Sequence, residues 1–212
     1  MPSMVPVPSS RLMGIKARDS GAGHCQLSED HMRHDGTLGR YSNLSIALHW
    51  LMVLLFVAAY ATIELREIYP KGSAPREALK SWHFMIGLSI FALVWIRIVA
   101  RIALPAPDPL DEPLWRSALA KAMHLALYAL MVAMPLAGWM ILSAEGDPIP
   151  FFGLSLPALT APDPALAERV EELHELGGTI GYWLIGLHAA ASLFHHYVLK
   201  DRLMARMRPA RS

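Results

Sequence analysis

One cysteine, Cys25, stands in a chain of 212 residues. A lone thiol closes no internal disulfide, and it completes neither a zinc knuckle nor an iron–sulfur quartet. No C-x-x-C-H occurs, so any haem is held without a covalent bond to cysteine. Charge is also scarce. Asp, Glu, Lys and Arg make up 17% of the chain, against about 25% in an average soluble domain. The formal net charge is +1, which gives no global attraction to nucleic acid. No carboxylate lies between Leu44 and Ile63 or between Thr179 and Leu199. That argues against cation transport by a pore through those stretches. Residues 1–39 lack a continuous apolar run, so they are a poor secretory signal. Their polar, aperiodic composition predicts a disordered cytoplasmic tail. His24, His31 and His34 lie there beside Cys25, too loosely spaced for a favoured metal site.

Long apolar runs are what the chain does have. Residues 44–63 are apolar enough, and long enough, to cross about 30 Å of hydrocarbon. Ser42 or Asn43 is the expected N-cap. Further spans are expected over residues 81–102 and 118–143. The stretch between the second and third spans, Pro105 to Pro113, holds four prolines and three acids and reads as a stiff linker. Between Ala144 and Pro162 lies a Pro- and Gly-rich loop whose Phe151–Phe152 pair suits the membrane surface. Asp163–Pro164 reads as an N-cap followed by proline at the first helical position. A fourth helix is therefore expected from there to Lys200, with a basic tail after it. The fold class is all-α: an integral-membrane four-helix bundle over residues 40–212. With four spans, fourteen Lys and Arg residues fall on the side of both termini and five on the other. The positive-inside rule then places both termini in the cytoplasm.

Histidines punctuate these spans. His174 and His188 are fourteen residues apart. That is nearly four helical turns, so both rings leave one helix face, roughly 21 Å apart along the axis. Given the orientation, His49 and His188 lie toward the cytoplasm, and His83 and His174 toward the outer face. Ionisable side chains within a membrane helix are functional candidates by default. Two depth-matched pairs on facing helices are what two stacked haems with two axial imidazoles each require. Arg97, fourteen residues after His83, falls at the inner level, where a guanidinium can pair with a propionate. Arg101 is a second candidate there, and Lys80 one for the outer level; for the arginines the competing reading is interfacial snorkelling. Gly177, Gly181 and Gly186 would let a porphyrin approach the backbone, or serve helix packing. His124 and His196 read as structural or surface residues. His195 is placed to hydrogen-bond a quinone head group or to face water.

Three motifs carry a resemblance: Y-S-x-x-x-x-x-L-H-W at Tyr41–Trp50, L-H-E at Leu173–Glu175, and G-L-H-A-A-A-S-L-F-H-H-Y at Gly186–Tyr197. Over roughly residues 40–209 the chain resembles the bacterial cytochrome b561 family, and within it the superoxide-oxidising type. The resemblance implies a bacterial inner-membrane protein with two b-type haems. It implies His49, His83, His174 and His188 as axial ligands, paired His49–His188 and His83–His174. The implied activity is oxidation of superoxide at the periplasmic face, with electrons passing through both haems to ubiquinone. Lys71, Arg76 and Lys80, with Arg66, would supply a positive field for the anionic substrate, although Glu64, Glu67 and Glu77 share their loop. Two other readings compete. One is a haem-bearing anchor between quinone and a soluble redox partner; the other is a histidine-lined metal transporter.

Overall fold

A computed structural model describes residues 41–104 and 113–200. The expected tail at 1–39, with Cys25 and its neighbouring histidines, most of the proline-rich linker, and the basic residues after Lys200 lie outside the described residues. The elements are α1 (Asn43–Arg66), α2 (Ala74–Ala103), α3 (Leu114–Glu145), a hairpin of β1 (Ile149–Phe151) and β2 (Leu154–Leu156), and α4 (Pro164–Phe194). A five-residue π-helical turn, His195–Leu199, follows α4 directly.

Local chemistry sets the helix ends. Ser42 caps α1, its hydroxyl accepting from Ser45 N at 3.1 Å. Asp163 caps α4 through Oδ1, which accepts from Ala165 N and Leu166 N, each at 3.1 Å, and Pro164 follows as expected. α2 starts seven residues before the apolar run at Ser81. Its first two turns are polar, good helix-forming sequence that can stand outside the hydrocarbon, and Pro75 fits the first turn without loss of a bond. α3 ends where Gly146 takes a left-handed conformation, φ 78°, which a side chain would resist.

α1, α2 and α3 are each long and apolar enough to cross a membrane. The outer turns of α4 carry Glu168, Arg169, Glu171, Glu172 and Glu175, so its apolar stretch is shorter. The fold is an all-α membrane bundle in which α1 packs on α2, α2 on α3, and α3 on α4. We call the end with the α1–α2 turn outer. Met52 and Ala59 of α1, Ile86, Ile90 and Val94 of α2, and Met131 of α3 form the central cluster. In lipid this cluster gains from close packing rather than from escape from water.

The Pro- and Gly-rich stretch expected as a loop over residues 144–162 holds a short hairpin. β1 pairs antiparallel with β2, Ile149 opposite Leu156. Ile149 is buried against Leu88 and Leu142, with Phe84, Trp139, Phe151 and Leu156 around them. Trp139 Nε1 donates to Pro157 O at 3.0 Å, and Leu159 N donates to the buried Ser143 hydroxyl at 3.0 Å. The loop is thereby fastened to the outer ends of α2 and α3. Phe152, at the hairpin tip, is exposed.

Candidate functional site

The four membrane histidines meet in two pairs. At the inner level the rings of His49 (α1) and His188 (α4) have centroids 6.5 Å apart and planes at 74°. At the outer level His83 (α2) and His174 (α4) are 6.2 Å apart with planes at 80°. Each of these rings is partly buried. The spacing can be tested against a shared iron. With metal–nitrogen bonds of about 2.0 Å, and a further ~1.2 Å from nitrogen to ring centre, two imidazoles on opposite sides of one iron sit roughly 6.4 Å apart. Both pairs fit that separation.

Their hydrogen bonds bear on which nitrogen is free. His83 Nδ1 lies 2.9 Å from Ala59 O. A carbonyl only accepts, so Nδ1 carries the proton and Nε2 keeps its lone pair. That is the tautomer a metal-bound imidazole needs. His174 Nδ1 is buried and makes no hydrogen bond to the described residues. Gly138 stands beside this ring, and a Cβ there would touch His174 Cε1 at 3.6 Å.

The inner level is more crowded. Arg97 Nη2 lies 3.2 Å from His49 Nδ1. A guanidinium only donates, so here His49 accepts at Nδ1 and carries its own proton at Nε2. Iron at Nε2 requires the reverse, so ligation fits only if Arg97 turns from His49 to another acceptor. A third imidazole is present. His124 of α3 lies 5.5 Å from His188, with planes at 77°. This is too short for a trans ligand by nearly an ångström, whereas His49 is at the expected distance. The sequence reading gave His124 no partner. The missed signal was connectivity: α3 and α4 are antiparallel neighbours joined by one loop, and His124 precedes that loop by about as many residues as His188 follows it.

The remaining candidates fall as follows. Arg101 stacks over the Tyr41 ring at 5.6 Å, at the inner end. His195 opens the π-helical turn with its ring 6.4 Å from Phe194; such turns are frequent at functional sites. Gly177 and Gly181 serve helix packing. A Cβ at Gly177 would collide with Met134 Sδ, and one at Gly181 with the Tyr60 hydroxyl and Leu130. Gly186, near His188, faces open space. Tyr60 crosses above Gly181 to donate to Gly178 O at 2.9 Å. Beside it Tyr182 donates to Glu64 at 2.7 Å.

Most of the outer cations are engaged. Arg76 binds Arg66 O at 3.0 Å, Tyr69 O at 3.1 Å and Glu67 at 3.0 Å, clasping the α1–α2 turn. Hydrogen bonding from Arg76 holds the Glu67 carboxyl below its usual range. Lys80 lies 3.9 Å from Glu145 and over the Phe84 ring at 5.8 Å. Lys71 is exposed, next to the tight turn at Gly72. Among the described residues no three His, Cys, Asp or Glu side chains form a group that would hold a bare metal ion.

The profile of prokaryotic cytochrome b561 matches residues 40–210. The chain is 33% identical over 175 residues to cytochrome b561 homolog 1 of Escherichia coli (strain K12), covering 82% of this chain and 99% of that protein. It is 37% identical over 171 residues to the probable superoxide oxidase CybB of Yersinia pestis, covering 80% and 96%. Cytochrome b562 of Cereibacter sphaeroides is 29% identical over 171 residues, covering 79% and 94%.

Proposed function

The chain belongs to the prokaryotic cytochrome b561 family of membrane haem b electron-transfer proteins, and from that footing we propose that it oxidises superoxide at the periplasmic face and reduces ubiquinone. The overall reaction is two superoxide, one quinone and two protons giving two dioxygen and one quinol. The observation that carries this reading is the meeting of two imidazole pairs at two levels, at 6.5 and 6.2 Å, each with one ring from α4 and the other from α1 or α2. His49 and His188 would hold one haem b, and His83 and His174 a second. When bound, the two haems supply one-electron acceptance and release at two depths, which links a one-electron donor to a two-electron acceptor.

The protein's own residues do the rest. Ala59 O fixes the tautomer and orientation of His83. With a haem bound, Arg97 would turn from His49 to a propionate carboxylate, a charge-assisted pair suited to a dry setting. Arg101 stands one turn further toward the inner face. His195 is the candidate contact for the quinone head group. Lys71 is the outer cation most available for attracting superoxide, with Lys80 and Arg76 adding field though each is paired. Probable superoxide oxidase CybB, the relative at 37% identity, supports this activity by its name. The excess of Lys and Arg on the side of the termini supports a bacterial inner membrane orientation with both termini cytoplasmic.

One observation favours a second reading. With Arg76 in a clasp and Lys80 beside Glu145, the outer field is weaker than the count of cations suggests. A haem-bearing anchor that exchanges electrons between quinone and a soluble redox protein needs no such field. Stopped-flow mixing of the purified protein with superoxide separates the two. Rapid haem reduction, followed by reoxidation on adding ubiquinone, supports the oxidase; no reduction supports the anchor.

A further inference from the structure

We propose that His124 is a positioning residue for the inner haem, accepting at its Nε2 the Nδ1 proton of His188. The proposal rests on the reading that His49 and His188 hold that haem. His124 Nδ1 lies 2.6 Å from Ala120 O, four residues back on α3. Because a carbonyl cannot donate, this bond places the proton of neutral His124 on Nδ1 and leaves Nε2 as an acceptor.

The ring beside His124 is His188, 5.5 Å away between centroids and nearly perpendicular. Two imidazoles joined by an N–H···N bond of about 2.9 Å sit roughly 5.3 Å apart, and two imidazoles sharing an iron roughly 6.4 Å apart. The His124–His188 spacing is closer to the first value, and the His49–His188 spacing of 6.5 Å matches the second. His188 thus has one imidazole, His49, at the iron-sharing distance and a second, His124, at the hydrogen-bonding distance. At the latter spacing an in-line pair of rings has its nitrogens about 3.1 Å apart, so turning the rings completes the hydrogen bond without moving α3 or α4. The arrangement parallels the outer level, where Ala59 O takes the Nδ1 proton of His83.

The consequence is chemical. An acceptor on Nδ1 pulls the proton outward and makes the ligating nitrogen more basic. A more basic ligand favours the oxidised iron and lowers the reduction potential. A neutral nitrogen on a side chain gives a milder pull than a carboxylate would. Removing it should shift the reduction equilibrium of the inner haem about tenfold toward the reduced form, which is about 59 mV for a one-electron couple.

The test is redox potentiometry, followed by visible spectra, on purified wild type, His124→Leu and His124→Gln, with the inner component identified as the one missing from His49→Ala. The proposal expects both haems retained in His124→Leu, the inner potential raised by about that amount and the outer unchanged. It expects His124→Gln, whose amide oxygen can accept, to restore most of the shift. An unmoved inner potential in His124→Leu with both haems bound overturns the proposal and leaves the haem assignment intact. Loss of one haem from both His124 variants, while His49→Ala keeps two, overturns it differently, by making His124 the axial ligand. A wild-type protein that carries no haem instead defeats the reading beneath it.

Discussion

Gly181→Ala tests whether the α1–α4 contact seen here supports the outer haem site. A methyl group at Gly181 would run into the Tyr60 hydroxyl and come within 3.2 Å of Leu130 Cδ2. Tyr60 is a stiff ring, so the clash moves it off Gly178 O. Loss of that hydrogen bond costs about 1 kcal/mol, and forcing the extra carbon into filled space costs about 1–3 kcal/mol. Against this, alanine is favoured over glycine in a helix by about 1 kcal/mol. The net expectation is destabilisation by about 1–3 kcal/mol. Gly178→Ala is the control, since nothing lies within 4 Å of the Cβ it would add; it should be neutral or slightly stabilising. The neighbouring Ala59 carbonyl holds His83, so displacement of Tyr60 should also loosen the outer haem. The assay is thermal unfolding of the detergent-solubilised protein with haem release recorded in the same scan. Equal midpoints for Gly181→Ala and Gly178→Ala would refute the packing role given to Tyr60 and Gly181.

Arg97→Ala should weaken retention of the inner haem by about tenfold, as loss of an outer partner does, while Arg97→Lys should restore it only in part because a lysine cannot bind a carboxylate in bidentate fashion; haem titration of the purified variants measures this. Arg76→Ala should destabilise the α1–α2 turn at pH 7. Glu67 has a lowered folded-state pKa, so its share of that effect is present above its ordinary pKa and disappears as pH falls through the folded value. The gap between wild type and Arg76→Ala should therefore narrow below about pH 4, although the two carbonyl bonds persist. A gap that widens in acid would contradict the clasp. Lys71→Gln should slow the reaction with superoxide at low ionic strength, and the difference should fade as salt is added; an unchanged low-salt rate would remove the steering role.

Much of this was legible in the chain itself. Helical phase alone put His174 and His188 on one face, and the span count put His49 at the depth of His188 and His83 at the depth of His174. Caps at Ser42 and Asp163 were readable because they act through neighbours in sequence. What escaped depended on partners far away in sequence. Arg76 read as part of a positive field beside loop carboxylates, and its clasp was hidden because two of its three acceptors, Arg66 O and Tyr69 O, are backbone atoms with no side-chain signature. Gly181 read either as room for a porphyrin or as a packing residue, and Tyr60 from another helix fills that room. The hairpin at 149–156 was hidden by Pro150 and the flanking Pro148 and Pro157, and its register depends on Ile149 reaching Leu88 and Leu142.

The most direct measurement is haem quantification per polypeptide, by haemochrome spectrum, for wild type and His188→Ala. Two haems in the wild type and one in the variant, with the remaining haem lost on further change of His83, is the predicted result. Two haems retained in His188→Ala, or none in the wild type, would contradict the paired-imidazole account.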